Sequence, residues 1–249
     1  MLPRRHVVSR VIGRIGSRRI KLEWLARSER QYGEKEYSLL PYLADKARPS
    51  VDIGAAEGAY TFWLARVSRN VVAFEPNPES FRFLSGAFRA FGNVKVVNAA
   101  VSSRTGEVIL RVPVMGIGGA NRSLALSGWG TIDHRNQFPG LSSIATVEHR
   151  VVAMTAAQAI PADVGFIKID VEGHEGEILA SLPDGVWQAQ PTLLVEVGAS
   201  DRGSSLREVH DLLTSRGYLV LALGAHGLRY ISNSYSPELS VNIIGIPSQ

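Results

Sequence analysis

Asp170-Val171-Glu172-Gly173-His174-Glu175 puts four ionisable side chains within six positions, directly behind the strand-like run Phe166-Ile167-Lys168-Ile169. Clustered carboxylates and an imidazole suit two tasks, removing a proton from a hydroxyl or holding a divalent metal, and the residue types leave both open. Glu172 and Glu175 would also meet a helix N-terminus favourably without any chemistry. That explanation leaves Asp170 and His174 without a role, so Asp170, Glu172 and His174 are the catalytic candidates. His174 is the expected general base, because imidazole titrates near neutral pH and Glu172 or Asp170 could orient it. The competing assignment makes Asp170 the base or a metal ligand, with Glu172 and His174 completing the site. Glu196, near the end of the apolar run Thr192–Val197, is expected at the same edge, either contacting an acceptor or as an ordinary strand-end carboxylate.

A second segment, Val51-Asp52-Ile53-Gly54-Ala55-Ala56-Glu57-Gly58, reads as a strand entering a glycine turn that opens a helix. Gly54 permits a sharp turn and close approach to a ligand, and Gly58 permits close contact at the helix start. A dinucleotide site normally carries G-x-G-x-x-G so that a pyrophosphate rests on the helix N-terminus. Here the spacing is G-x-x-x-G, and Asp52 and Glu57 would repel a phosphate. They suit a ligand with a cationic end and no phosphate, a description that S-adenosylmethionine meets. About twenty residues further on, Phe74-Glu75-Pro76-Asn77 places a carboxylate where it can accept both hydroxyls of an adenosine ribose. Asn98-Ala99-Ala100 then offers small side chains beside a flat adenine ring, with Asn98 or backbone amides as partners. The expected cofactor contacts are thus Asp52, Gly54, Ala55, Glu57, Gly58, Glu75, Pro76, Asn77, Asn98, Ala99, Ala100 and Asp170.

These residues need a sheet edge to stand on. Short β-branched runs at Ser50–Ile53, Val71–Phe74, Val94–Asn98, Gly165–Ile169, Thr192–Val197 and Tyr218–Leu223 alternate with helical patterns, among them Ala59–Val67, Pro78–Phe91, His174–Ser181 and Ser205–Arg216. That alternation predicts an α/β fold in three layers, with a mostly parallel sheet buried on both faces. Ser240–Ile246 is the last strand. Glu107–Val112 is expected to pair back beside its predecessor, Thr146–Val152 to form a further strand, and Gly224–Pro237 to be a long loop. Residues 113–145, glycine-rich and weakly periodic, are the candidate substrate flap, with Asn121, Arg122, Ser123, Trp129 and His134, together with Tyr60, as acceptor contacts.

With 249 residues, 45% of them hydrophobic, the chain can bury a core without staples, and the absence of cysteine excludes disulfides and thiolate ligands. No apolar run approaches the roughly 20 residues that cross a bilayer, so a soluble, cytoplasmic protein is expected. Net charge is +4, yet the first 31 residues carry nine Lys+Arg against Glu23 and Glu29, which leaves the remainder at −3. Residues 1–45 therefore read as a basic helical arm ahead of one domain at 46–249. Val8, Val11, Ile12 and Ile15 recur at helical spacing among arginines, which suits a helix packed on the domain, or contact with a partner or the inner face of an anionic membrane. No apolar core of a secretory signal follows.

Taken together, Val51-Asp52-Ile53-Gly54-Ala55 with Gly58, Phe74-Glu75-Pro76, Asn98-Ala99-Ala100-Val101 and Ile167-Lys168-Ile169-Asp170-Val171-Glu172-Gly173-His174-Glu175 resemble the FkbM family of S-adenosylmethionine-dependent methyltransferases. The resemblance implies a Rossmann-like class I methyltransferase fold, with seven strands and an antiparallel last one. It also implies O-methylation, often of sugar hydroxyls in glycans or of secondary metabolites. The sequence departs from the family's pattern at Ala56, where a polar residue such as Asn is common, and at Thr155-Ala156-Ala157, where Leu-Asp is usual. A nucleic-acid methyltransferase is disfavoured by the acidic remainder and by the missing Asn-Pro-Pro-aromatic or Asp-Pro-Pro-aromatic signature, so no nucleic acid is expected. A non-catalytic cofactor-binding scaffold is disfavoured by the retention of Glu75 and the acidic cluster. Acceptor identity, metal use and oligomeric state are not specified by the sequence.

Overall fold

The computed structural model describes residues 17–116, 123–125, 130–132, 145–197, 206–232 and 241–248. Helix α1 (Arg18–Tyr32) opens it, capped by the Ser17 hydroxyl, and a single 3-10 turn (Lys35–Ser38) and short α2 (Leu40–Leu43) follow. Then come β1 (Ser50–Ile53), α3 (Ala59–Val67), β2 (Val71–Phe74), α4 (Pro78–Ala87) and β3 (Val94–Val97). Asn77 ends β2's connection and starts α4 by accepting the Glu79 N–H, with Pro78 at the first helical position. The chain continues through β4 (Ala100–Ser102), β5 (Gly106–Gly116), β6 (Ser123–Ala125), β7 (Ala145–Thr155), α5 (Ala156–Ala159) and β8 (Phe166–Ile169). It closes with α6 (Glu175–Ala180), α7 (Asp184–Gln188), β9 (Thr192–Val197), α8 (Leu206–Ser215), β10 (Tyr218–Gly224), β11 (Gly227–Tyr230) and β12 (Val241–Pro247).

The main sheet has the order β11-β10-β12-β9-β8-β1-β2-β3. From β3 to β9 neighbouring strands are parallel, and β12 runs antiparallel to both β9 and β10. The seven expected strands are present, with the antiparallel one last in sequence. An eighth, β11, forms a hairpin with β10 inside the stretch read as a loop, because Gly227 at φ +114° lets the chain reverse. Strands β1 and β8 are buried along their whole length, as a sheet covered on both faces requires. Helix α1 packs on both α3 and α4, around a cluster that includes Leu22, Ala26, Phe62 and Leu84.

The expectation that Glu107–Val112 pairs beside its predecessor fails. β5 pairs instead with β7 over nine positions, in a separate sheet ordered β4-β7-β5-β6. Two features explain this. The Asn98 side chain donates to the carbonyls of Glu75 and Pro76, which turns the chain away at the end of β3, and β4 then aligns parallel with β7. Part of the stretch 113–145 is accordingly strand, and Asn121, Arg122, Trp129 and His134 lie outside the described residues. The unusual Thr155-Ala156-Ala157 ends β7 in a capping box, with Gln158 returning to the Thr155 N–H.

The turn after β1 leaves no room for a side chain at Gly54. A Cβ on Gly54 would stand 1.8 Å from the Asp170 carbonyl oxygen, and Gly54 itself has φ +85°. Ala56, two residues on, holds φ +48° without being glycine. Gly54→Ala is therefore expected to cost at least about 2 kcal/mol, whereas Ala56→Gly, which relieves a left-handed alanine, is expected to stabilise by about 1 kcal/mol. Thermal unfolding midpoints of the two variants, moving in opposite directions, are the check.

Candidate active site

Strand register sets the site. Val97 lies opposite Phe74, Phe74 opposite Ile53, Ile53 opposite Ile169, Ile169 opposite Val195 and Val195 opposite Ile243. One step further along the parallel strands therefore brings Asn98, Glu75, Gly54, Asp170 and Glu196 into a single row at their carboxyl ends. Asn242 of the antiparallel β12 pairs with Glu196 and extends it. Ligands of open α/β sheets bind along this edge.

A crevice of about 540 Å³, open mouth included, lies over the middle of the row. Gly54, Glu75, Pro76, Asn77, Ala99, Ala100, Asp170 and Glu172 line it, as the sequence led us to expect. Ala56, Val101, Leu110, Gly130 and Ile132 line it as well. The last three belong to β5 and to residues 130–132, which Thr131 pins by backbone hydrogen bonds to Arg111 and by its hydroxyl to the Glu172 carbonyl at 2.8 Å. This wall was missed because it depends on the second sheet. No local pattern announces that sheet, although Gly130 and Ile132 fall inside the proposed flap.

The other expected contacts sit elsewhere. Ala55 is buried and Glu57 exposed, and neither lines the crevice. Gly58 caps α3 at φ +83°, where a Cβ would strike Leu84. Asn98 braces the β2 turn through its side-chain amide. Asp52 is sealed under α3, accepting the Thr61 hydroxyl at 2.5 Å, while its Oδ1 has no hydrogen-bond partner. Burial pushes its pKa up, against the nearby Lys168.

Glu75 is almost wholly buried. One carboxyl oxygen accepts the Ala56 N–H at 2.7 Å and the other the Asn77 N–H at 2.8 Å. Burial outweighs these bonds and pushes its pKa up to about 8. The carboxyl is thus fixed between two backbone turns, and each oxygen keeps a lone pair for a further donor.

Asp170 is held from behind. Lys168, 2% exposed at its side chain, donates to Asp170 Oδ2 at 2.7 Å, and the Asp170 side chain is 26% exposed toward the crevice. The ammonium also lies 4.5 Å from the centre of the Tyr60 ring. Burial opposes its charge, but Asp170, Asp52, Glu34 and Glu196 together leave its pKa raised. Tyr60, an expected acceptor contact, is buried, stacked on Tyr37 and donating to Glu34 at 2.5 Å.

Behind Asp170, Glu175 clamps the turn: its Oε1 accepts the N–H groups of Gly173 at 2.9 Å and Val171 at 3.2 Å. Burial pushes its pKa up to about 7. That clamp holds Glu172 and Gly173 at φ +56° and +107°. His174 is buried outside the crevice lining, with Nε2 3.1 Å from the Ser102 hydroxyl and Nδ1 3.3 Å from Glu177. Glu196 is half-buried beside Asn242. Among the described residues no three His, Asp or Glu side chains converge as metal ligands would.

Comparison with known proteins adds three findings. The Methyltransferase FkbM domain model matches residues 52–220. The hexuronic acid methyltransferase AglP of Haloferax volcanii is 26% identical over 164 residues, covering 66% of this chain and 60% of that protein. The chain thus spans well under the full length of that relative. The crystal structure of methyltransferase FkbM from Methylobacillus flagellatus KT matches 81% of this chain and 44% of its own, at 17% identity and a TM-score of 0.52, a likeness of fold.

A carboxyl whose folded pKa lies above its unfolded value binds more protons in the folded state between the two values, so raising pH through that window costs stability. For Glu75 the window runs from 4.5 to about 8. The ligand-free protein is expected to lose stability relative to its Glu75→Gln variant as pH rises through this window. Unfolding midpoints of both proteins across the window test it; parallel curves would contradict the buried, proton-holding carboxyl.

Proposed function

Because the chain belongs to the FkbM methyltransferase domain family, we propose that it transfers a methyl group from S-adenosylmethionine to a hydroxyl oxygen, that of a sugar in a glycan, glycolipid or secondary metabolite. The observation carrying this reading is the row in which Glu75 and Asp170 flank Gly54 at the floor of one crevice. The donor set fits the cofactor. Glu75, pre-oriented by two backbone amides, accepts ribose hydroxyls. Ala99, Ala100, Val101 and Leu110 form an apolar slot for a flat base. Carboxylates and a bare glycine turn, rather than cations, face the remainder, which suits a ligand bearing positive charge and no phosphate.

S-adenosylmethionine supplies an electrophilic methyl on a sulfonium. The protein's part is to place a hydroxyl oxygen in line with it and to accept the proton that the oxygen loses as the new C–O bond forms. Of the two bases open on the sequence, the geometry favours Asp170. Its carboxylate reaches the crevice and is anchored by Lys168, whereas the His174 ring lies behind the turn among Ser102 and Glu177. His174 then acts as a positioning residue for the Asp170–Glu175 turn. A sugar acceptor is supported by the name of the Haloferax relative, a hexuronic acid methyltransferase.

Calorimetric titration with S-adenosylmethionine and its demethylated product, followed by methyl transfer to a panel of glycans, tests the reading; absence of binding heat would end it. Asp170→Asn is expected to lower kcat by about 100-fold or more, the usual worth of a positioned base, with His174→Ala staying within about tenfold of the parent. The reverse order of effects would return the base to His174. Ionised Glu75 is the form that hydroxyl donors favour, so cofactor affinity is expected to rise with pH through about 8 and to level off above it.

A further inference from the structure

Away from the crevice, α1, α3 and α4 form one outer layer with an unusual charge balance. Over residues 17–33, 59–67 and 78–91 the chain carries eight Lys+Arg against three Glu. Residues 1–16 add Arg4, Arg5, Arg10 and Arg14 with no carboxylate, so these segments sum to +9 and the rest of the chain to −5. The chain's surplus of positive charge is concentrated in these segments of the sequence.

The cations of this layer are held by rings more than by carboxylates. Arg19 lies 5.5 Å from the centre of the Phe91 ring, Lys21 4.9 Å from Phe83 and Arg30 4.5 Å from Trp63, while Arg66 covers Phe62. A ring fixes a guanidinium or ammonium without cancelling its charge. Arg27 is paired with Glu23 at 2.6 Å, an exposed pair of small net worth. Like charges crowd here: burial lowers the Arg66 pKa, Glu23 opposes that shift, and Arg27 and Arg19 add to it. Ile20 and Tyr32 stand 57% and 63% exposed on the same helix.

We propose that the α1–α3–α4 layer docks the protein on an anionic phospholipid membrane. Lipid headgroups supply a plane of negative charge matching a fixed, shallow field of cations, and exposed Ile20 and Tyr32 suit the interfacial zone. A single-stranded nucleic acid would be bound by stacking its bases on aromatic faces. Here the faces of Trp63, Phe83 and Phe91 are already covered by cations.

Co-sedimentation of the full chain with vesicles of phosphatidylcholine alone, and of phosphatidylcholine mixed with phosphatidylglycerol, tests this. Binding is expected only to the mixed vesicles and is expected to weaken with salt. Each cation near such a surface is worth about fivefold in partitioning, so Arg19→Gln, Lys21→Gln, Arg27→Gln and Arg30→Gln combined should weaken it by about a hundredfold or more. The matching variant with Arg19, Arg27 and Arg30 each changed to Lys keeps the charge and should bind like the parent. Equal sedimentation with both vesicle types overturns the proposal. So does full binding by the glutamine variant when its unfolding midpoint matches the parent's, or tighter association with an RNA oligonucleotide than with mixed vesicles. Heat of S-adenosylmethionine binding, read separately, keeps failure of the methyltransferase reading distinct from failure of this one.

Discussion

A single buried ammonium organises this molecule. Lys168 lies in the middle of the sheet with almost no exposure, between Asp52 on the neighbouring strand and Asp170 two residues along its own. A cation so placed would be intolerable alone, and a carboxylate so placed would protonate. The two carboxylates differ in what surrounds them. Asp52 is closed off by Thr61, whereas Asp170 has one oxygen committed to the ammonium and the carboxylate as a whole turned to open space. The fold thereby presents an oriented carboxylate at the centre of this edge, and among the described residues that line the crevice there is no cation to compete for it.

Much of this was legible in the sequence, for identifiable reasons. The parallel strands announce themselves because burial on both faces demands continuous apolar runs, and their carboxyl ends carry residues a core would not choose: Gly54, Glu75, Asp170. Once strand order is known, register does the rest, and the row follows. What escaped was whatever depends on non-local pairing. β5 has the same composition whether it extends the main sheet or starts another, and only the long pairing with β7 decides between them. The crevice wall formed by Leu110, Gly130 and Ile132 escaped with it. Lys168 was visible only as a polar interruption in a strand, and its role needed the position of Asp52 across the sheet.

Direction matters as much as residue type. Asp52, Ala55, Glu57, Gly58 and Asn98 all belong to the segments that build the site, yet none of them lines the crevice: Asp52 accepts from Thr61 and Asn98 braces the turn after β2. Asn98 is the clearest case: an amide well suited to a base edge is spent on two backbone carbonyls, and that expenditure turns the chain out of the main sheet. His174 stands at the N-terminus of α6, with its ring against Ser102 and Glu177.

The site is also assembled against its own stability. Glu75 and Glu175 are buried deeply enough to hold protons near neutrality, and Asp52 Oδ1 and Glu175 Oε2 lack hydrogen-bond partners. Ala56 and Glu172 occupy left-handed backbone that suits neither. Glu75, Glu175, Ala56 and Glu172 lie in turns at the carboxyl edge; elsewhere among the described residues Trp187 Nε1 and the Tyr218 hydroxyl in the main core also lack partners, and Gln190 is left-handed too. Carboxyls fixed in turns at this edge suit a preformed receptor for a polar, charged ligand. Backbone amides aimed at Glu75 and Glu175 fix the carboxyls before anything binds, so the cost of orientation falls on folding rather than on association. A ligand that donates hydroxyl protons to Glu75 and sets positive charge near Asp170 would favour the ionised Glu75 carboxylate and stabilise the folded chain in proportion to its binding.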